Sequence, residues 1–289
     1  MKTITTTLKA HGYEFAFVER GDGAPVIFVH GSVSDYRTWS EQLESFATRY
    51  RAVAYSRRHH WPNRPIPEGA DYAMDQQADD LAAMIEVVAA APAHLIGHSY
   101  GAFLCLLVAM KRPDLVRSLV LSEPPVVPLF VSNPPKSGEL LTLFLSRPRT
   151  AMAILTFGMR GLAPATKAIE AGDAERAIAI FGKAVLGAEA YAALPSERMK
   201  QVRDNLIAAE FLGSGLADLP EDRVREVRCP VLLPVGSHSP ALFHRLTARL
   251  AELLPAARRA DIPGASHIIH EDNAAAFDKA VLEFLDGIT

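Results

Sequence analysis

Short apolar runs alternate with helix-forming runs along two separate stretches of this chain. In one pair, Pro25 to His30 precedes the helix-forming run Tyr36 to Thr48; in another, Ala93 to Ile96 precedes Ala102 to Met110. Strands that are apolar along nearly their whole length are typical of a parallel sheet covered by helices on both faces. The alternation therefore predicts the α/β fold class. The other predicted strands are Tyr13 to Glu19, Ala52 to Tyr55, Ser118 to Leu121, Val231 to Val235 and Ala257 to Ile262, and the other predicted helices are Met74 to Ala90, Pro240 to Leu254 and Asn273 to Leu285.

The alternation stops at Pro124-Pro125 and resumes only at Val231. Between these points helix-forming segments dominate and are broken by prolines and glycines. A chain of 289 residues is long enough for a sheet domain with an inserted subdomain. We therefore predict an α/β core formed by residues 1–123 and 227–289, interrupted by a helical cap over residues 124–226.

The segment from Gly97 to Gly101 reads Gly-His-Ser-Tyr-Gly and lies where a predicted strand meets a predicted helix. In such a tight turn the serine hydroxyl is pushed out of the backbone, and the small glycines let the strand and helix approach closely. Amides at the start of the helix can meet a developing negative charge. This context predicts that Ser99 is a nucleophile; the alternative is an ordinary N-cap serine in a glycine-rich turn.

Two further segments fall where acyl-transfer chemistry needs them. The His-Gly-Ser segment at residues 30–32 follows a predicted strand, and its glycine lets the backbone turn so that the Ser32 amide faces the nucleophile. The amides of Ser32 and Tyr100 would then form an oxyanion hole, although a His-Gly pair can also simply end a strand. His267 follows the last predicted strand, where a loop can present a base, and His270 is its rival.

Three of these segments together resemble the α/β-hydrolase superfamily: the His-Gly pair at residues 30–31, the turn at residues 97–101, and the Gly-Ala-Ser-His segment that ends at His267. The resemblance covers nearly the whole predicted sheet domain. It implies the α/β-hydrolase fold, a mostly parallel central sheet flanked by helices, with the predicted insert as the cap that such enzymes carry after the sixth strand. It says little about the substrate, because the superfamily hosts many chemistries.

The resemblance also implies an acid that pairs with the histidine of the catalytic triad. Many relatives carry this acid after the seventh strand, in a Gly-x-x-Asp turn, and this chain departs from that pattern. The matching segment here, residues 236–239, holds no carboxylate. Some relatives place the acid after the sixth strand, where this chain has Glu123, and the order Ser99, Glu123, His267 is the one expected for this fold. A carboxylate there is costly to bury unless His267 pairs with it, the alternative being a solvated loop residue. Weaker candidates, because they are so near His267 in sequence, are Asp261, Glu271 and Asp272.

These assignments predict a serine hydrolase that cleaves a carboxylic ester or lactone through an acyl-enzyme intermediate. One alternative keeps the fold and triad for non-ester chemistry, such as carbon–carbon bond hydrolysis, a lyase reaction or a cofactor-free oxygenation. Another is a catalytically vestigial module that only binds a ligand. Halide-releasing and epoxide-opening relatives carry Asp where this chain has Ser99, which disfavours both of those activities.

The predicted substrate is a small molecule with an apolar part. Apolar runs of the predicted cap, such as Ala151 to Phe157, could line a pocket for it, or they could pack the cap against itself. Tyr36 and Trp39 follow the segment at residues 30–32, and one of them could reach the pocket. The alternative for Trp39 is that its side chain packs its helix onto the sheet. The candidate substrate-binding residues are Tyr36, Trp39 and Phe157.

Composition narrows the partners further. A formal net charge of −3 is too small to indicate a nucleic-acid partner. The basic run Arg57 to His60 is expected to be solvated; the alternative is that its loop, at the carboxyl end of a predicted strand, binds a polar part of the substrate. No apolar run approaches the length of a membrane span, and Met1 to Ala10 lacks the apolar core of a signal peptide. Two cysteines and scattered histidines indicate neither a disulfide framework nor a metal site. We expect a cytoplasmic monomer or homodimer without a cofactor.

Overall fold

The computed structural model describes residues 6–89, 92–133, 135–136 and 138–288. Within them, eight strands form one sheet. The strands are β1 (Thr6–Ala10), β2 (Tyr13–Arg20), β3 (Pro25–Val29), β4 (Arg51–Tyr55), β5 (Ala93–His98), β6 (Val116–Ser122), β7 (Val231–Gly236) and β8 (Arg258–Ile262).

The strand order is β1-β2-β4-β3-β5-β6-β7-β8. The β1–β2 and β2–β4 pairs are antiparallel, whereas every pairing from β4 through β8 is parallel. Val29 at the end of β3 lies opposite Gly97 of β5, which lies opposite Leu121 of β6. The carboxyl ends of the parallel strands therefore share one edge, and the loops that follow them are neighbours. The predicted mostly parallel sheet is confirmed.

Helices cover both faces of this sheet and also fill the long connection from β6 to β7. Short 3-10 helices lie at Tyr36–Trp39, Pro113–Leu115 and Val127–Leu129, and one π-helical turn lies at Gly158–Leu162. The α-helices are α1 (Ser40–Phe46), α2 (Met74–Ala89), α3 (Tyr100–Lys111), α4 (Glu139–Ser146), α5 (Pro148–Phe157), α6 (Ala163–Glu170), α7 (Ala174–Leu186), α8 (Ala188–Ala192), α9 (Ser196–Asp204), α10 (Ala208–Leu212), α11 (Glu221–Arg225), α12 (Ala241–Leu253), α13 (Ile269–Asp272) and α14 (Ala274–Asp286).

Successive strand residues alternate between two buried clusters, one on each face of the sheet. Ile27 and Val29 pack in the cluster that contains residues of α2, α3 and α12, whereas Val26 and Phe28 pack in the cluster with α1 and α14. Side chains of a strand point alternately to opposite faces, so a sheet covered on both sides needs apolar residues at every position. This is why the strands read as continuous apolar runs.

Residues 124–226, here called the helical insert, contain α4 to α11, and no strand is found among the described part of the insert. Its Arg147 guanidinium donates to the Glu252 carboxylate of α12 over 3.0 and 2.8 Å. The Phe157 ring of α5 lies 6.4 Å from the Phe243 ring of α12. The insert is therefore fixed to the rest of the chain by both charged and aromatic contacts. Its assignment as a separate cap domain remains a prediction.

Among the eight strands of the described residues, β1 is the one that the sequence pattern did not predict. It is an edge strand of the sheet, and its first two residues are exposed threonines, so it carries little apolar periodicity. The remaining predicted strands and helices are present, with ends shifted by a few residues; Ala90 and residues 1–5 lie outside the described residues. Among the helices that the structure describes, none combines the length and apolar character that crossing a bilayer demands.

Candidate active site

The loops that carry the predicted site residues meet at the carboxyl edge of the sheet. Ser32 follows β3, Ser99 follows β5, Glu123 follows β6, and His267 lies between β8 and α13. The loops are joined through the backbone as well, because the Ser99 amide donates to the Ser122 carbonyl over 2.8 Å. Residues that are far apart in the chain thus converge on one rim, as the parallel topology requires.

Ser99 occupies a strained turn between β5 and α3. Its φ of 50° and ψ of −119° lie in a region that side-chain-bearing residues rarely adopt, so the surrounding contacts must hold it there. Those contacts require glycine on both sides. A Cβ on Gly97 would lie 2.5 Å from the Ala102 Cα, and one on Gly101 would lie 2.2 Å from the Val29 carbonyl oxygen. The two glycines therefore allow β3, β5 and α3 to approach closely around the serine.

Glu123 and His267 form a buried hydrogen-bonded pair. The His267 Nδ1 donates to the Glu123 Oε2 over 2.6 Å, and the Glu123 Oε1 accepts from the Gly236 amide over 3.0 Å. Glu123 is 0% exposed and His267 only 3%. Because Nδ1 carries the proton in this bond, the His267 Nε2 is the nitrogen that can accept one.

Two further side chains hold the His267 loop in place. The His267 ring stacks on Phe243, with 3.8 Å between ring centroids and 19° between ring planes. The His98 Nε2 donates to the His267 carbonyl over 2.9 Å. Burial, with the neighbouring His267 second, lowers the pKa of His98 well below its ordinary value, so His98 stays neutral and has one ring proton for this bond. The base candidate is thus fixed at its ring and at its backbone.

A buried arginine orients the loop after β3. The Arg57 Nε donates to the His30 carbonyl over 3.1 Å, and its Nη2 donates to the Gly31 carbonyl over 2.9 Å. In a planar trans peptide the carbonyl and the following N–H point in opposite directions. The Ser32 amide therefore faces away from Arg57. Gly31 lies directly against the nucleophile candidate, since a Cβ on it would be 3.1 Å from the Ser99 Cβ.

The Arg57 side chain continues into a buried polar network. Its Nη1 donates to the Tyr72 hydroxyl over 2.5 Å, and that hydroxyl lies 2.6 Å from the His60 Nε2. Burial, followed by the Arg57 charge, lowers the pKa values of His30 and His60 well below the ordinary range. A neutral His60 donates through Nδ1 to the Ser34 carbonyl over 2.7 Å and accepts from Tyr72 through Nε2. Every ring nitrogen of His60 thus has a partner of the right kind.

The helical insert holds the same loop from the other side. The buried Asp35 carboxylate accepts from the Gln201 amide over 3.0 Å and from the Asn205 amide over 2.6 Å. Arg198 donates to the carbonyl of Val33, which has a positive φ of 46°. Backbone in this region is costly for a β-branched residue, so these contacts stabilise a conformation that the loop would not adopt alone.

Ser99 lies on the wall of a cavity of about 420 Å³ between the sheet edge and the helical insert. A smaller cavity of about 60 Å³ also contains Ser99 and, in addition, His267. The wall of the larger cavity is mostly apolar. Its apolar residues include Val127, Val131, Ile154, Phe157, Leu162, Phe181, Val185, Phe211 and Phe243, and its polar residues include Ser32, Tyr72, Tyr100 and Glu210.

The structure places the predicted substrate-binding residues in different environments. Phe157 lines the larger cavity. Tyr36 is instead buried with its ring 5.9 Å from Trp61, and Trp39 is fully buried and stacked on His270 at 4.0 Å. Neither residue is among those that line the two cavities at Ser99, because both rings belong to the core between α1 and the sheet, so a role of Tyr36 or Trp39 in substrate binding stays a prediction that this packing does not support.

The rival residues are engaged elsewhere. The His270 Nε2 lies 2.9 Å from the Thr38 hydroxyl, and Glu271 accepts from the Arg198 guanidinium over 2.8 Å. Asp261 pairs with Arg259 on the surface, and Asp272 accepts from the Ser266 amide. The carboxyl group that reaches the His267 ring is the one 144 positions away in sequence, Glu123.

Several residues at this site were not predicted. The run Arg57 to His60 was expected to be solvated, but this is wrong for Arg57 and His60, which are 1% and 0% exposed. The position of the run at the carboxyl end of a predicted strand was a signal for the sheet edge, and β4 indeed pairs with β3 there. Glu210 of α10 had no such signal, because nothing in its local sequence distinguishes it from a surface carboxylate. Within the described ranges, His, Cys, Asp and Glu side chains form no group of three that could hold a metal ion.

Comparison with known proteins defines the family of this chain. The model of the alpha/beta hydrolase family matches residues 26–280. A 2-(acetamidomethylene)succinate hydrolase from Mesorhizobium japonicum is 26% identical over 269 residues, which cover 93% of this chain and 90% of that protein. Epoxide hydrolase 3 from Xenopus tropicalis is 24% identical over 291 residues, covering 96% and 76%. A thermophilic esterase from Thermogutta terrifontis, solved with malate bound, has a TM-score of 0.71 at 22% identity and covers 100% of this chain and 99% of its own. Since the family model spans most of its length, the chain belongs to the alpha/beta hydrolase family.

Proposed function

We propose that this chain is a serine hydrolase that cleaves a carboxylic ester or lactone through an acyl-enzyme intermediate. Ser99 is the nucleophile, His267 the general base and Glu123 the acid that orients the base. The observation that carries the proposal is the buried bond from the His267 Nδ1 to the Glu123 Oε2 at 2.6 Å, at a cavity rim shared with Ser99. A buried carboxyl group with one oxygen on a backbone amide and the other on an imidazole is typical of the acid in a serine triad.

In the first half-reaction the Ser99 Oγ attacks the carbonyl carbon while the His267 Nε2 takes its proton. Glu123 keeps the proton of the neutral ring on Nδ1 and stabilises the imidazolium that forms. The imidazolium then gives its proton to the departing alkoxide, which leaves the acyl group on Ser99. Water attacks that acyl group with His267 again as base. The imidazolium then returns the proton to the Ser99 Oγ as the bond between that oxygen and the acyl carbon breaks, and the carboxylic acid leaves.

The amides of Ser32 and Tyr100 are the proposed oxyanion donors. Tyr100 begins α3, so its N–H has no acceptor within the helix and gains from the helix dipole. Ser32 belongs to the peptide that Arg57 turns by binding the Gly31 carbonyl. Removal of one such donor typically costs about 10²–10³ in turnover.

The apolar wall of the larger cavity supports a substrate with an apolar part. Phe157 and Phe243 lie on this wall, and the Phe243 ring also stacks on His267. An apolar acyl or alcohol group would therefore lie beside the base. We propose the helical insert as the cap that closes this cavity.

A fluorophosphonate probe tests the activated serine, and a panel of p-nitrophenyl esters and lactones tests the reaction. We expect stoichiometric labelling of the wild type at Ser99, no labelling of Ser99→Ala, and turnover of at least one ester or lactone that Ser99→Ala abolishes. A wild-type enzyme that remains unlabelled while folded would overturn the proposal.

A second candidate keeps the same triad for a bond other than an ester. It is favoured by the Mesorhizobium relative, whose name contains an acetamido group and no ester. The same two assays separate the candidates: labelling of Ser99 together with inactivity on every ester and lactone supports the second one.

A further inference from the structure

Glu210 reaches from α10 into the cavity that contains Ser99. Its side chain is only 6% exposed. The Oε1 atom accepts from the Ser32 hydroxyl over 2.6 Å and lies 3.9 Å from the Arg57 Nη2. A carboxyl group of the helical insert is thus buried beside the loop after β3 that carries Ser32, here called the proposed oxyanion loop.

The Val33 amide also acts on this carboxyl group, but among the described residues the Oε2 atom has no hydrogen-bond partner. The Glu210 Oε2 and the Tyr100 hydroxyl are both buried without a hydrogen bond, and both residues line the larger cavity. A buried polar atom left unpaired costs about 1–3 kcal/mol, so such atoms normally meet a partner in the functional state. Because most of the wall is apolar, the two atoms form a polar patch in a pocket that otherwise holds few polar groups.

The charge balance at this end does not suit an anionic ligand. The donors of Arg57 that face the loop are already used on the His30 and Gly31 carbonyls, and a third is used on Tyr72. The other arginine near Ser99, Arg198, pairs with Glu271. A substrate carboxylate in the cavity would therefore face the Glu210 carboxyl group without a free cation among the described lining residues.

We propose that Glu210 is a specificity-determining residue, which selects neutral esters or lactones whose cavity-filling part carries a hydroxyl or amide N–H. The hydroxyl or N–H of the substrate donates to the Glu210 Oε2. The Tyr100 hydroxyl donates to the oxygen of the same hydroxyl or amide group. The same carboxyl group disfavours substrates with a carboxylate at that position, unlike the succinate in the name of the Mesorhizobium relative. This inference rests on the proposed ester or lactone hydrolysis.

Three p-nitrophenyl esters of equal chain length test the selection: the hexanoate, the 6-hydroxyhexanoate and the adipate monoester. For the wild type we expect kcat/KM for the hydroxy ester to exceed that for the hexanoate about tenfold, the size of one hydrogen bond to a carboxylate, with the adipate lowest. Glu210→Leu should bring the hydroxy-to-alkyl ratio to about one. Glu210→Gln keeps an acceptor but loses the charge, so it should raise the adipate-to-alkyl ratio about tenfold.

The ratios of kcat/KM between the esters separate two roles of Glu210: selecting the substrate, and only holding Ser32 in place. If Glu210 only braces the loop, both variants lower kcat/KM for all three esters by one common factor, and this result overturns the proposal. Glu189→Gln, an exposed carboxylate on α8, is the matched control and should leave every ratio unchanged. Thermal melts of each variant verify folding. If the wild type has equal kcat/KM for the hexanoate and the hydroxy ester, the Glu210 assignment alone is refuted. If no ester is hydrolysed and Ser99 stays unlabelled, the proposed function is overturned as well.

Discussion

Replacement of Glu123 by glutamine exchanges one carboxyl oxygen for an NH2 group at the centre of the proposed triad. The Glu123 carboxyl group now accepts twice, from the Gly236 amide at 3.0 Å and from the His267 Nδ1 at 2.6 Å. A glutamine has one acceptor oxygen and one NH2 group that only donates. The oxygen must stay on the Gly236 amide, because that amide can only donate. The NH2 group then faces the Nδ1 of His267, which is forced to accept, so the ring proton moves to Nε2.

The wrong tautomer removes the base. An imidazole protonated on Nε2 cannot take the Ser99 proton, and trapping the histidine of a serine triad in this tautomer lowers kcat by about 10⁴. At 1.36 kcal/mol per factor of ten, this corresponds to about 5 kcal/mol of activation free energy. The fold should be affected much less, because glutamine still satisfies both neighbours. By contrast, Glu123→Ala leaves two buried donors unpaired, at about 1–3 kcal/mol each.

The assay measures kcat on the best ester of the panel, normalised to the concentration of folded enzyme as verified by a thermal melt. Asp261→Asn is the control, since Asp261 pairs with Arg259 at the surface, and its kcat should stay within about twofold of the wild type. Folded Glu123→Gln with more than about a tenth of wild-type kcat would refute the tautomer argument. An equal loss in Asp261→Asn would also refute it.

Three other outcomes are expected. Gly101→Ala should lower the free energy of unfolding by about 3 kcal/mol or more, because its Cβ would lie 2.2 Å from a carbonyl oxygen of β3; an unchanged urea midpoint would contradict this. Burial, and secondarily the charge of Arg117, lower the pKa of His94 to about 4, so the folded state binds no proton there while the unfolded state does below about 6.5. Stability should then fall from pH 6.5 toward 4, and His94→Gln should flatten that fall by about 2–3 kcal/mol in urea titrations, whereas an identical slope in both proteins would count against it. Asn205→Ala removes a 2.6 Å bond to Asp35 and should slow fluorophosphonate labelling about tenfold; unaltered labelling would show that the insert does not hold the oxyanion loop.

The sequence by itself determined the fold class and most of the strands and helices of the sheet domain. Local rules suffice for this: apolar strands buried on both faces read as continuous runs, and Gly97 and Gly101 mark a turn in which a Cβ would collide with the neighbouring strand or helix. The resemblance to the α/β-hydrolase superfamily also pointed to Glu123, at the position after the sixth strand where some relatives carry the acid, and the cost of burying an unpaired carboxylate supported it. The weak edge strand β1 escaped prediction because its exposed threonines carry no clear period.

What only the tertiary structure decided is which side chains meet across long separations in the chain. Glu123 and His267 are 144 positions apart, and Ser32 and Glu210 are 178 apart, so no local pattern records either contact. The same reason limits what a local pattern can indicate: a basic run looks solvated until neighbouring strands and α10 bury Arg57, and Trp39 looks available until α14 covers it. Periodicity is a property of neighbouring residues, whereas burial and pairing are properties of the assembled sheet and insert.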